Sequence, residues 1–238
     1  MARIILITGG SRSGKSTFAQ QLAESLADNR IYLATCPVVD GEMAARIARH
    51  RRDREARSWR TIEEETALAA TLGREPAAGV VLVDCLTLWI NNLMYAAQRE
   101  GRTLTEEEIQ RKSMEVLQAA RFGTGPGTGI RPTVTTAEQT EKTTEAGNPA
   151  APPRGTQEAG TSGPPGETPS AGRIVIFVTN EVGMGIVPAY PDGRLFRDLA
   201  GRCNQVFARE ADAVVFMVSG IPLWIKGGNT FSPPAVTT

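Results

Sequence analysis

Residues Gly9-Gly-Ser-Arg-Ser-Gly14-Lys15-Ser16 fit the pattern G-x-x-x-x-G-K-[ST]. Such a loop can hold a polyphosphate. Its glycines let the backbone bend so that N–H groups along Gly9, Gly10, Ser11, Arg12, Ser13 and Gly14 turn inward at phosphate oxygens. Lys15 reaches the β- and γ-phosphates, and the Ser16 hydroxyl ligates Mg²⁺. The helix that follows aims its positive N-terminus at the same anions. A second carboxylate is expected for the metal, and Asp84, closing the apolar run VVLVD, is the candidate. These features support a nucleotide kinase, a small-molecule kinase or an NTPase.

A second constellation surrounds His50, the single histidine. Seven arginines lie between residues 46 and 60, and Arg46 and Arg54 stand four residues to either side of His50. On a helix all three share a face. Nearby cations disfavour imidazolium, so His50 is expected to be neutral near pH 7. Neutral imidazole is a nucleophile, and the guanidiniums can grip a polyphosphate in bidentate fashion. The alternative is a solvated basic face with a passive histidine, or a patch for RNA.

Positioning these groups requires an alternation of strands and helices. RIILIT (3–8), IYLAT (31–35), VVLVD (80–84), RIVIFVT (173–179) and AVVFMVS (213–219) are short apolar runs that read as buried strands, and PLWIK (222–226) as a further short one. Helices are expected over 15–27, over the Arg-rich stretch 41–57, from Leu86 onward, from Glu106 to about Arg121, and over 195–210. Two capping boxes are expected, Thr61-x-x-Glu64 opening a helix after Thr61 and Thr105-x-x-Glu108 opening the helix to Arg121. This pattern predicts an α/β domain, a mostly parallel sheet covered on both faces.

Residues 123–172 break the alternation. They hold 11 Thr, 10 Gly, 8 Pro and 2 Ser, and Ile130 and Val134 are their only large aliphatic residues. Too little apolar surface is present to offset the entropy of ordering, so a disordered linker is expected, with a partner-binding arm as the alternative. Residues 1–122 and 173–226 are then one domain, and 227–238 a flexible tail. Basic and acidic residues balance at 26 each, which gives no global pull toward nucleic acid or an anionic membrane. No apolar run approaches the ~20 residues that span a bilayer. The first strand begins at Arg3, leaving no room for a leader, and a cytoplasmic protein is expected. Cys36, Cys85 and Cys203 are odd in number and widely spaced, so neither a disulfide framework nor a zinc site is suggested, and Cys203 is expected to pack within a helix.

Taken together, TGGSRSGKS (8–16), YLAT (32–35), DGEMAARIARH (40–50), WRTIE (59–63), DCLTLWINNL (84–93), VTNEVGMGIVP (178–188), FRDLAGRCNQ (196–205) and VVFMVSGIPLWIK (214–226) resemble the bifunctional adenosylcobinamide kinase / adenosylcobinamide-phosphate guanylyltransferase family of cobalamin biosynthesis. The resemblance covers essentially all of the chain outside 123–172, which has no counterpart in the family pattern. It implies a RecA-like P-loop domain, commonly assembled as a homotrimer. It also implies two reactions that draw on GTP or ATP with Mg²⁺: phosphorylation of adenosylcobinamide, then transfer of GMP from GTP through a guanylylated histidine, which maps onto His50. Nucleotide contacts carried over from the family fall on Ala34, Thr35 and Cys36, on Arg51, Arg52, Asp53 and Arg54, and on Glu63 and Asp84. Independently, Asn180 and Glu181 follow a strand at the ligand-binding edge, where they either contact substrate or orient the loop. Arg197, Arg202, Asn204 and Gln205 are expected on the next helix, meeting a neighbouring subunit or a phosphate.

Overall fold

The computed structural model describes residues 1–37, 57–123 and 172–228. Residues 41–56 of the expected helix, the stretch 124–171 and the tail from 229 onward lie outside the described residues.

Seven strands form one sheet in the order β3-β2-β4-β5-β1-β6-β7. These are β1 (Arg3–Gly9), β2 (Arg30–Ala34), β3 (Trp59–Glu63), β4 (Val80–Asp84), β5 (Ile174–Val178), β6 (Ala213–Val218) and β7 (Ile221–Lys226). All pairings are parallel except β6–β7. The helices are α1 (Lys15–Leu26), α2 (Leu68–Gly73), α3 (Leu86–Arg99), α4 (Glu106–Phe122) and α5 (Pro191–Glu210). The apolar runs that form β1, β2, β4 and β5 are buried on both faces, which is why they show no alternation, whereas β7 at the sheet edge is largely exposed. Side chains of β1 divide between two cores: Ile4 and Leu6 join one with Trp89, Leu199 and Phe207, and Ile5 and Ile7 join the other with Phe18 and Leu22 of α1. Phe177 of β5 meets Phe207 of α5 edge-on at 4.8 Å, locking α5 to the first core. Strand β5 lies between β1, which leads into the phosphate loop, and β4, which ends in Asp84. This intervening strand is the RecA-like arrangement that was expected.

One expectation fails. No helix follows Thr61: Trp59–Glu63 is strand β3, paired in register with β2, and helix α2 starts only at Leu68. The spacing mimicked a capping box, but Thr61 lies within the paired strand. Glu64 does serve the next helix by another route. Its carboxylate accepts from the N–H groups of Thr66 and Ala67 and from the Thr71 hydroxyl. Partial burial pushes the Glu64 carboxyl up, but these hydrogen bonds and Arg74 outweigh that and hold it below the ordinary carboxylate range. We expect Glu64→Ala to cost about 1 kcal/mol at neutral pH, the net worth of the hydrogen bonds by which it holds the turn before α2. The native pKa is depressed, so this contribution is present above the unfolded value and is lost as pH falls through the native one. Denaturant titrations of both proteins across that range should converge at low pH.

The Thr105 capping box forms as expected, with both reciprocal hydrogen bonds. Helix α5 begins four residues before the expected Leu195, at Pro191. Proline suits the first helical position, where its missing N–H has no partner to lose. Cys203 is fully buried on α5 within hydrogen-bond reach of the Ser113 hydroxyl at 3.5 Å, and burial pushes its thiol up to about 12. It packs, as expected.

Candidate active site

Parallel pairing brings the carboxyl ends of five strands to one edge. Glu63, Ala34, Asp84, Val178 and Ile7 form a single row of register partners across β3, β2, β4, β5 and β1. Neighbouring strands are ~4.8 Å apart, so the row places Asp84 about two strand spacings from the root of the phosphate loop.

The loop itself is built for close backbone approach. Gly9 has φ 155°, and a Cβ there would sit 2.6 Å from the Met217 carbonyl oxygen of β6. Arg12 at φ 56° and Gly14 at φ 89° add left-handed turns, a backbone shape that directs successive N–H groups into one concavity. Gly14 is the N-cap of α1, and a Cβ there would lie 3.3 Å from the Cα of Gly220. The Gly220 N–H donates to the Ser13 carbonyl at 3.0 Å, so the β6–β7 turn props the loop from behind. Lys15 is 9% exposed and its Nζ donates to the Gly10 carbonyl at 2.9 Å, which holds the ammonium across the loop. Burial lowers its pKa, and Cys85 and Asp84 oppose that shift electrostatically. Phosphate oxygens at the loop would act in the same direction as Asp84.

Asp84 does not stand alone. Tyr32 of β2 donates its hydroxyl to Asp84 Oδ2 at 2.7 Å, and the Tyr32 ring packs edge-on against Trp59 at 6.1 Å. Ser16 sits on the first turn of α1. A hydroxyl and a carboxylate are hard oxygen donors, the set that Mg²⁺ takes together with substrate phosphates. Among the described residues there is no group of three or more His, Cys, Asp or Glu arranged for a metal.

The other expected nucleotide contacts divide. Thr35 is fully buried, and its hydroxyl donates to the Cys85 carbonyl and accepts the Cys85 N–H, each at 2.8 Å. Asn92 of α3 donates to the Thr35 carbonyl at 2.9 Å. The side chain of Thr35 therefore fastens the end of β2 to the residue after Asp84. Ala34 and Cys36 flank it, half-buried, and Glu63 is exposed at the end of edge strand β3. His50, Arg51, Arg52, Asp53 and Arg54 lie outside the described residues.

Beyond β5, the loop expected to meet substrate is tied down at its root. The Glu181 N–H donates to the Gly9 carbonyl at 3.0 Å, and the Asn180 N–H to the Thr87 hydroxyl at 2.9 Å. Asn204 of α5, left open between a subunit contact and a phosphate, is buried; it takes the Thr179 hydroxyl and donates to the Asn180 carbonyl at 3.1 Å. Arg202 pairs with Glu106 of α4 and Arg197 with Asp198 on its own helix, both at 3.0 Å. Gln205 is exposed. Sequence reading had not marked Tyr32, Thr87, Asn92 or Gly220, because each acts on a residue far away in the chain.

A phosphate loop, a carboxylate strand one strand removed and a pinned loop after the intervening strand make a phosphoryl- or nucleotidyl-transfer edge. Comparison with known proteins gives it a family. The model of the family described as "Cobinamide kinase / cobinamide phosphate guanyltransferase" matches residues 5–126 and 166–225. The chain belongs to this family. The Pseudomonas aeruginosa protein named "Bifunctional adenosylcobalamin biosynthesis protein CobP" is 35% identical over 223 residues, 93% of this chain and 96% of the relative. Proteins named "Bifunctional adenosylcobalamin biosynthesis protein CobU" are 34% identical: that of Salmonella typhimurium over 94% of this chain and 99% of the relative, and that of Escherichia coli over the same shares. The family match passes over residues 127–165, the centre of the Thr/Gly/Pro-rich stretch. Among the described residues no helix is long and apolar enough to cross a membrane.

Proposed function

We propose that this family member phosphorylates adenosylcobinamide with a nucleoside triphosphate and then transfers GMP from GTP to the product, giving adenosylcobinamide-GDP. The observation that carries this reading is the phosphate loop opposite the Tyr32-held Asp84 on one sheet edge, in a chain matched to the family on both sides of its insertion.

In the first step the acceptor hydroxyl attacks the γ-phosphorus, and the bond to the bridging oxygen breaks. Loop N–H groups and Lys15 meet the charge that develops on the departing oxygens. In the second, His50 attacks the α-phosphorus of GTP and pyrophosphate leaves. A phosphate oxygen of the acceptor then attacks the histidine–GMP bond, and the imidazole is regenerated. Such a relay needs a nucleophile that is unprotonated and leaves readily, which imidazole is. Arg51, Arg52 and Arg54, with Asp53 among them, belong to the same nucleotide grip. Ser16 and Asp84 would hold Mg²⁺, which would neutralise charge on the β- and γ-oxygens. The test uses purified protein and adenosylcobinamide. Sequential mass gains for one phosphate and one GMP, with pyrophosphate released only in the second, are expected. Consumption of GTP without modification of the corrinoid would overturn the reading.

Tyr32→Phe should raise the Mg²⁺ concentration needed for half-maximal phosphorylation about tenfold, since a neighbour that orients a metal-binding carboxylate is typically worth that much. The shift is read from rate against Mg²⁺ at saturating nucleotide. An unchanged Mg²⁺ curve would show that Tyr32 merely packs.

We read 1–122 and 173–226 as one domain and 123–172 as a tolerated linker. The insertion's ends meet on the core: Arg173 donates to the Leu72 carbonyl at 2.9 Å and to the Ala120 carbonyl at 3.4 Å, and the Ala2 N–H donates to the Arg121 carbonyl at 3.1 Å. Replacing 124–171 with a short Gly/Ser link should leave the melting temperature and both activities nearly unchanged, because loop-closure entropy shifts only ~0.6 kcal/mol per doubling of length. A large fall in melting temperature would refute it. A cytoplasmic homotrimer completes the reading. Ile221, Leu223 and Ile225 are 68%, 55% and 61% exposed along edge strand β7, an apolar stripe that assembly would cover.

A further inference from the structure

A cleft of about 870 Å³ opens at the same sheet edge as the phosphate loop but apart from it, between α3 and the start of α5. Its volume lies in the range of small-molecule sites. Pro37 and Asn92 reach it, and Asn92 is the residue that holds the Thr35 carbonyl, so the cleft borders the β2 and β4 ends.

The exposed stripe of α3 gives the cleft its character. Trp89, Ile90, Leu93 and Ala97 face the core, which leaves Asn91, Tyr95 and Gln98, spaced four and three apart, on the outer face. All three line the cleft, and α5 answers with Tyr190 before its first turn and Phe196 within it. Tyr95 and Tyr190 are 62% and 67% exposed, unusual for two large rings flanking one cavity. Tyr190 is held in place. A Cβ at Gly193 would lie 2.9 Å from its ring and 2.8 Å from Pro188, so only glycine admits this packing, and Arg194 grips the Pro188 and Ala189 carbonyls.

The lining does not suit a nucleotide. Its charged lining is one guanidinium, Arg99, with two carboxylates, Glu65 and Asp192, a balance that does not favour a polyphosphate. Aromatic rings interleaved with carboxamides suit a broad, flat surface fringed with amides. The loop between β5 and α5 connects the two places. Its root is bonded to Gly9 of the phosphate loop and its end is Tyr190, and between them Met184, Ile186 and Val187 are 76%, 95% and 60% exposed. Such an apolar display on a loop marks a contact surface.

We infer that this cleft seats the corrin macrocycle of the acceptor, with Tyr95 and Tyr190 against the ring and Asn91 and Gln98 on its peripheral amides. The inference rests on the reading under Proposed function and adds where the second substrate binds. A macrocycle lodged here lies on the sheet edge that also carries the phosphate loop.

The test titrates wild-type protein and the variants Tyr95→Ala, Tyr190→Ala and Tyr95→Phe with adenosylcobinamide, following quenching of tryptophan fluorescence, and in parallel with a fluorescent GTP analogue. Both alanine variants should weaken corrinoid binding about tenfold, the loss of roughly one aromatic contact. Tyr95→Phe should bind near wild type, and GTP-analogue affinity should be unchanged in all. Both positions are exposed, so the fold survives the changes. Unchanged corrinoid affinity in both alanine variants overturns the cleft assignment and leaves the proposed function standing. Loss of the oligomer with corrinoid affinity retained overturns it in favour of a subunit interface. Wild-type protein that binds no corrinoid removes the underlying reading, and the cleft assignment with it.

Discussion

Lys15→Ala should abolish phosphorylation of adenosylcobinamide and GMP transfer together, each by about a hundredfold or more, the usual loss when a charge-stabilising donor leaves a phosphate site. One phosphate loop occurs in the chain, and Lys15 is its single ammonium, held at 2.9 Å over the Gly10 carbonyl. Both reactions therefore draw on the same cation. Alanine also removes a side chain that is buried beside Asp84, so folding must be checked by circular dichroism beside the two assays. Near-normal GMP transfer in a folded Lys15→Ala protein would reveal a second nucleotide site.

His50→Ala should separate what Lys15→Ala joins. Protein incubated with α-labelled GTP should carry acid-labile label in the wild type and none in the variant. GMP transfer should fall below about a thousandth of wild type, as loss of a covalent nucleophile does. Phosphorylation should persist at a substantial rate, because the acceptor hydroxyl attacks the γ-phosphorus directly. The structure narrows what else can carry label. Burial, with Asp84 beside it, pushes the Cys85 thiol up, and the Cys203 thiol is raised to about 12, so neither is a ready thiolate near neutrality. Label retained in His50→Ala would thus point to Lys15 or Cys36. Absence of label in both proteins with GMP transfer intact would dismiss the covalent route.

How much of this was legible beforehand depends on the distance between cause and effect along the chain. Gly9 through Ser16 carry their own conformational logic, and β4 ends at Asp84 as the VVLVD run indicates. The Thr105 box reads true because both partners lie within one turn. At Thr61 the same spacing misleads: pairing with β2 outweighs a local capping preference, and Glu64 finds other donors. Tyr32 and Asp84 are 52 residues apart and meet only because β2 and β4 share a register. The Gly220 prop behind the loop and the Asn92 bond to Thr35 arise the same way. The cleft could not be read at all, since its two walls come from helices about ninety residues apart whose approach is set by packing on the first core.

The strand ends also sort the molecule into a working rim and an idle one. The candidate site groups gather where β1, β4 and β5 finish, whereas the insertion departs after α4 and returns at Arg173, just where β5 starts. Four steps along β5 put about 13 Å between those rims. Gly123 and Gly172, between which the insertion is spliced, both sit at the rim opposite Asp84 and the phosphate loop. The chain therefore carries a natural grafting port, at which a fluorescent reporter or an affinity tether can replace the Thr/Gly/Pro-rich stretch and leave the chemistry unobstructed.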